Sequence, residues 1–304
     1  MCGQLDGNLL KVENATETKI IRKGNTLEII GNKKNCEIAT SILDKIYNSL
    51  KIGNDFEQGD LEASIRIEKE IFEKNLLNGD DKSYHKDTNL LIKTPKKLIY
   101  PRSLAQKEYL RKLLKADIVF GQGVAGTGKT YLAIAVGVSL YIAGEIDKIV
   151  LTRPAVEAGE RLGFLPGDMK EKVDPYMQPL YDSLNDCLPF KKVIKMLEDK
   201  IIEIAPLAFM RGRTLNNSYV VLDEAQNATK LQMKMFLTRL GQNSKMVITG
   251  DISQIDLPKG LESGLAEALR ILSSVEEIEI MNFKSADVVR HKLVTKIIEA
   301  YDGN

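Results

Sequence analysis

The run Gly123-Val124-Ala125-Gly126-Thr127-Gly128-Lys129-Thr130 constrains this chain more than any other feature. It has the form G-x-x-x-x-G-K-[ST], the spacing of a phosphate-cradling P-loop. Glycines let the backbone curl so that successive N–H groups point inward at phosphate oxygens. Lys129 would reach the β- and γ-phosphates as a compact charge, and Thr130 would offer its hydroxyl to Mg²⁺. A helix starting here aims its positive end at the anion. With glycine near 7% of average usage, an accidental match at every fixed position arises in roughly one chain in a hundred of this length. The flanks fit as well. Ala116 to Gly121 reads as a short apolar strand, and Tyr131 to Ala143 is rich enough in Ala, Leu, Ile and Val for a buried helix. Strand, glycine loop, helix is the setting that such a loop requires. The expected ligand is ATP with Mg²⁺, held by Gly123, Val124, Ala125, Gly126, Thr127, Gly128, Lys129 and Thr130.

A second run supplies the chemistry that a loop alone lacks. Tyr219-Val220-Val221-Leu222 is an apolar strand ending in Asp223-Glu224-Ala225-Gln226. A buried strand that delivers Asp223 to the sheet edge suits a second Mg²⁺ contact beside Thr130. Glu224, one residue on, stands where a hydrolase needs a carboxylate to orient and deprotonate the attacking water. By itself such an acid pair also fits an ordinary turn with a helix N-cap. A third strand, Met246 to Thr249, ends in Gly250-Asp251, with Gln254 three residues beyond that acid. The Gln254 amide could sense the γ-phosphate, or the segment is a plain turn. Phosphoryl transfer also gains from an arginine on the developing charge. Arg153, Arg211, Arg213 and Arg290 lie near strand ends or glycine turns.

Composition narrows the function classes. A chain of 304 residues with 43% apolar content has room for a large core and a smaller module. A net charge of +1 excludes a globally basic nucleic-acid binder but leaves a local patch open. The N-terminus shows no basic region leading into an apolar run, so no signal peptide is expected. The stretch Leu132 to Ala143 is too short to span a bilayer, so no membrane partner is expected. Three scattered cysteines without a C-x-x-C pattern fit a reducing cytoplasm. His85 and His291 lie far apart, so the expected metal is Mg²⁺ brought by a nucleotide rather than zinc.

The pattern along the chain divides it in three. Residues 1–78 read as a small α+β module. Thr18–Ile21 and Thr26–Ile30 form a hairpin around Arg22-Lys23-Gly24-Asn25. Helical spacing follows over Ile38, Ile42, Leu43, Ile46 and Leu50, and a further helix over Ala63–Leu77. The module is KH-like in outline but lacks the G-x-x-G that clamps RNA backbones, so RNA binding and plain docking both stay open. Residues 79–115 form a polar, then basic, linker carrying Lys93, Lys96, Lys97, Arg102, Lys107, Arg111, Lys112 and Lys115. That strip is either a solvated face or a phosphate-backbone contact. Residues 116–304 alternate strands and helices. The strands Ile118–Phe120, Lys148–Leu151, Ile201–Ile204, Tyr219–Leu222, Lys245–Ile248 and Glu277–Ile280 predict an α/β fold with a parallel sheet flanked by helices.

With these residues in hand, the chain resembles the PhoH-like ATPase family from about Leu5 to Tyr301. The resemblance is carried by the loop, by Thr152-Arg153-Pro154-Ala155-Val156-Glu157-Ala158-Gly159-Glu160 and by Gly163-Phe164-Leu165-Pro166-Gly167-Asp168. It is carried further by Pro206-Leu207-Ala208-Phe209-Met210-Arg211-Gly212-Arg213-Thr214, Leu222 to Asn227, Thr249-Gly250-Asp251 with Gln254, and Val288-Val289-Arg290-His291. Two positions depart from the family pattern: Val124 and Lys292 stand where it commonly has proline. The family looks similar to the first motor domain of superfamily-one helicases, which implies a RecA-like P-loop NTPase core. By that resemblance Gln106 contacts the adenine edge, Gln254 senses the γ-phosphate and Arg290 is the helicase-like arginine. It also implies a link to RNA and, in some bacteria, an endoribonuclease partner. Only one motor domain fits after residue 115, so a homo-oligomeric ring, of hexamer size, is expected to supply the second wall of the nucleotide site.

Overall fold

The computed structural model describes residues 1–51, 58–78, 90–154, 169–258 and 260–289, with helical positions at 293, 294, 297 and 300. The chain divides into two compact units. Residues 1–91 with 100–107 make the first, and 92–99 with 108–304 the second. The basic segment is thereby shared between them, and residues 79–89 lie outside the described residues.

The first unit opens with helix α1 (Gly7–Thr16), then strands β1 (Lys19–Lys23) and β2 (Thr26–Ile30), then helices α2 (Lys33–Lys51) and α3 (Gln58–Asn78). The hairpin turns on Gly24-Asn25, with Gly24 at φ 62°, and pairs Lys23 with Thr26 and Ile20 with Ile29. Ile38, Ile42, Leu43 and Ile46 of α2 pack with Leu9 and Val12 of α1, Ile20 and Leu61 in one core. This is the helical spacing of the sequence at work: residues three and four apart share a face, and that face is buried.

The second unit includes a two-stranded ladder, β3 (Ile92–Lys93) and β4 (Leu98–Ile99), and helix α4 (Leu104–Lys115) runs into it. Its main body alternates β5 (Ile118–Gly123), α5 (Lys129–Ala143), β6 (Lys148–Arg153), α6 (Met169–Cys187), α7 (Phe190–Glu198), β7 (Ile202–Pro206), β8 (Ser218–Leu222), α8 (Lys230–Leu237), β9 (Lys245–Gly250), α9 (Gly264–Leu272) and β10 (Ile278–Phe283). The six strands form one parallel sheet in the order β10-β5-β9-β8-β6-β7. β9 lies between the loop strand β5 and the acid-bearing strand β8. Every residue of β8 is buried. A strand covered on both faces reads as an unbroken apolar run, which is what Tyr219 to Leu222 shows.

α5 is buried almost all round, from Leu132 through Val138. Its tight seat on the sheet depends on Gly137. A Cβ there would stand 2.6 Å from Cδ1 of Tyr219, whose ring is fully buried. A helix carrying the phosphate loop is thus locked against the strand carrying Asp223. Overpacking of this kind costs about 1–3 kcal/mol. Gly137→Val is expected to lower the unfolding free energy by that amount, read as a lower urea midpoint with an unchanged slope; an unchanged midpoint would show that α5 and β8 do not depend on this contact.

Candidate functional site

The site assembles at the carboxyl ends of β5, β6, β8 and β9, where an open parallel sheet places its ligands. β5 ends at Gly123, whose φ of 131° is poorly tolerated by any other residue, and a Cβ there would lie 2.2 Å from the carbonyl oxygen of Phe283. Gly126 and Gly128 also hold positive φ, 82° and 81°, so the loop curls back on itself before α5 begins at Lys129. Thr127 is fully buried and its hydroxyl donates to the Val124 carbonyl at 3.0 Å. Val124, in place of a proline, still takes its part in the loop through that carbonyl. The loop is also tied to the C-terminal segment: the Val289 N–H donates to the Gly126 carbonyl at 3.1 Å.

Lys129 folds inside the loop. Its Nζ donates to the carbonyls of Gly123 at 2.6 Å and Val124 at 2.9 Å. Burial lowers its pKa, against the opposing pull of Asp251, Asp223 and Glu224. Carbonyls are weak partners for an ammonium, so a phosphate oxygen entering the loop offers Lys129 a stronger one.

Asp223 is the point where the elements meet. Its backbone N–H donates to the Thr152 carbonyl, which extends the β8–β6 ladder by one step. Its Oδ1 accepts from the hydroxyls of Thr130 at 2.6 Å and Thr249 at 2.7 Å. Its Oδ2 accepts from Nε and Nη2 of Arg153 at 2.8 and 2.5 Å. α5, β6 and β9 therefore each send one side chain to a single carboxylate just past the end of β8. Glu224 follows at φ 52°, a left-handed turn, with its carboxylate half exposed. Gln226 steadies it: Nε2 donates to Glu224 Oε2 at 2.6 Å, while its Oε1 accepts from the Asp251 N–H at 3.0 Å. Asp251 caps its own turn through Ser253, and its Oδ2 is buried without a partner among the described residues. The Gln254 N–H closes that turn on the Asp251 carbonyl.

These groups line a cleft of about 280 Å³. Ala125, Gly126, Gly128, Lys129 and Thr130 form its floor, and Arg153, Asp223, Glu224, Asp251 and Gln254 stand round it. The oxygen donors suit Mg²⁺. Thr130 Oγ1 and Asp223 Oδ1 lie 2.6 Å apart. Neighbouring ligands of one octahedral Mg²⁺ lie about 2.9 Å apart, so the two can share one ion. No group of three His, Cys, Asp or Glu that could hold a metal occurs among the described residues. A single carboxylate with a hydroxyl is the donor set of an ion that also relies on phosphates and water.

Other sequence expectations fall elsewhere. Gln106 belongs to the first unit, where its Oε1 accepts from the Arg102 N–H at 2.6 Å. Arg290 lies outside the described residues, as do 155–168 of the family-like run after Arg153. Arg213 is forked onto Glu203, with Nη1 and Nη2 at 2.5 and 2.7 Å from its two oxygens. Within the basic strip, Lys97 pairs with Asp186, Arg111 with Glu108 and Lys112 with Glu279. The sequence reading did not assign Thr249 and Gln226 to the site, and it left Arg153 as one arginine among several. Their only signal was position at or just past a strand end. Pro179 and Ser183 of α6, which also line the cleft, carried none. Among the described residues no helix is long and apolar enough to cross a membrane.

The chain is similar to known proteins over most of its length. A PhoH-like protein from Bacillus subtilis is 49% identical over 300 residues, covering 99% of this chain and 92% of that protein. A PhoH-like protein from Mycobacterium bovis is 42% identical over 301 residues, covering 99% and 84%. Protein PhoH of Escherichia coli K12 is 45% identical over 205 residues, covering 67% of this chain and 58% of its own length. Among solved structures, the Pif1 helicase from Candida albicans overlays with a TM-score of 0.33 at 12% identity, over 66% of this chain and 44% of that one, too distant to bear on function. The family model for PhoH-like protein matches residues 98–302, which take in the loop, Asp223, Glu224 and the whole parallel sheet, and the chain belongs to that family.

Proposed function

We propose that this chain hydrolyses ATP with Mg²⁺ and couples the turnover to RNA remodelling or to an RNA-processing endoribonuclease partner in the cytoplasm. The observation that carries the hydrolysis is the pairing of a fully bonded Asp223 with a half-exposed Glu224 at the mouth of the P-loop. The loop N–H groups and the α5 N-terminus hold the phosphates. Lys129 leaves its carbonyls for the β- and γ-phosphates. Mg²⁺, when bound, neutralises charge across those phosphates. Glu224, oriented by Gln226, accepts the proton of the attacking water. Gln254 lines the same cleft and takes the γ-phosphate-sensing role by family resemblance. Gln106 and Arg290 take the adenine and arginine roles by family resemblance.

Hydrolysis is favoured over phosphoryl transfer to a small acceptor because Glu224 gives water a base. The RNA link rests on the family resemblance. A slower, nucleotide-gated scaffold that binds RNA or protein without unwinding is the second reading; the acid partners of Lys97, Arg111 and Lys112 favour it over a continuous phosphate-binding strip. The single motor core supports a homo-oligomeric ring, with a neighbouring subunit closing the nucleotide site.

Glu224→Gln is expected to retain ATP while turnover falls about 10²–10⁴-fold, since binding needs the loop and chemistry needs the base. A normal rate would remove Glu224 from that role. RNA that raises kcat, with strand displacement, supports remodelling; an unchanged kcat supports the scaffold. Sedimentation of the ATP-loaded chain should show a ring-sized species, and a fully active monomer would contradict the shared site.

A further inference from the structure

Arg153 has no part in the chemistry above, yet it makes the shortest contact to Asp223. It is the last residue of β6, and its backbone is fixed: Arg153 registers with Pro206 of β7, and Thr152 with Leu222 of β8. Only its side chain is free to move. That side chain is largely buried, and so is the carboxylate it meets, with 14% and 4% of their surfaces exposed. Nε and Nη2 both point at Oδ2 of Asp223, while Nη1 donates to the Tyr176 carbonyl in α6 at 2.7 Å. Glu224 Oε1 stands a further 3.8 Å from Nη2.

A buried carboxylate without a cation is costly. Arg153 meets that need in this structure, and in a nucleotide-loaded cleft Mg²⁺ would serve Asp223 in its place. Mg²⁺ on Oδ1 beside Thr130 would share the single carboxylate charge with the guanidinium on Oδ2, and so weaken the hold on Arg153. We propose that Arg153 is the chain's own counter-cation for Asp223, that Mg²⁺ arriving with nucleotide displaces it, and that the released guanidinium turns to the terminal phosphate in the same cleft. The guanidinium already lines that cleft with Lys129 and Gln254, so the turn needs side-chain rotation alone. A planar fork suits both partners, since carboxylate and phosphate take the same paired N–H geometry. Exchange of one anion for the other also makes the site sense the third phosphate: ADP frees Arg153 but gives it nothing to hold. This rests on the Mg²⁺-nucleotide reading of the cleft, but not on hydrolysis.

The test uses the full chain and reads binding and stability, so a chain that fails to hydrolyse ATP can still pass it. Thermal unfolding is followed with and without millimolar Mg²⁺ and no nucleotide, for wild type, Arg153→Gln and Arg153→Ala. Wild type should be insensitive to Mg²⁺ alone. The variants should melt lower without the ion and recover with it. In parallel, wild type with Mg²⁺ should bind the imido analogue of ATP at least tenfold more tightly than ADP, and in the variants that preference should shrink several-fold. Variants that melt like wild type, ignore Mg²⁺ and keep the full preference would overturn the proposal, as would a wild type that Mg²⁺ alone stabilises equally. Should both variants fail to fold, Arg153→Lys decides. Its single ammonium cannot present the two N–H groups, so the Mg²⁺ concentration for half-maximal binding of the imido analogue should fall several-fold. An unchanged concentration would overturn the proposal.

Discussion

The Asp223 carboxylate is where the second unit is tied together. Two hydroxyls on one oxygen and one guanidinium on the other leave it no free side. Each partner comes from a different element, so the position of α5 against the sheet, the register of β6 against β8 and the placing of β9 beside them all bear on this one group. The interior around it has a low dielectric, which strengthens each of these bonds and raises the cost of losing any. Order in the cleft follows from that. Gln226 carries it outward, linking Glu224 on one side to the backbone of Asp251 on the other.

The same convergence explains why a RecA-like sheet suits the task. With β9 between β5 and β8, the loop and the acid stand one strand apart. That gap is spanned by short side chains: Thr130 reaches Asp223 directly, and Thr249 fills the space between from β9. Close packing sets the distance. Gly137 brings α5 down onto Tyr219, and Gly250 leaves room for the Gln226 amide, which would lie 2.7 Å from a Cβ placed there. The small residues of this region are thus spacing elements for the site, while the first unit keeps its own core of α1, α2 and the hairpin.

Much of this was legible in the chain. The P-loop spacing located the phosphate site because its backbone needs glycine at set positions, as the positive φ of Gly123, Gly126 and Gly128 shows. The inner strands β6, β8 and β9 were legible because they are buried on both faces, while the edge strands β7 and β10 are only partly covered. The carboxyl ends were not: β5 runs on through Gly121-Gln122-Gly123 and β6 through Thr152-Arg153, held by ladder hydrogen bonds that ignore side-chain polarity. Helix α1 was also missed, since it buries only Leu9, Val12 and Thr16 and leaves a faint pattern. The pairing of Arg153 with Asp223 spans 70 positions of sequence, and no local rule connects them. Local preference and periodicity report on neighbours; contacts between strand ends depend on sheet order, which the sequence carries only in its whole length.

In the proposed function, Asp223 organises a Mg²⁺-dependent ATP-hydrolysing site. Its most direct test is phosphate release from ATP by the chain alone, with no acceptor, compared between wild type and Asp223→Asn across a Mg²⁺ titration. The asparagine keeps the shape but offers a neutral amide to the metal and to Arg153. Wild type should release phosphate only with Mg²⁺, and Asp223→Asn should lose roughly 10²-fold or more in kcat, an electrostatic loss of about 2.7 kcal/mol or greater. Release that is independent of Mg²⁺, or unchanged by Asp223→Asn, would contradict it.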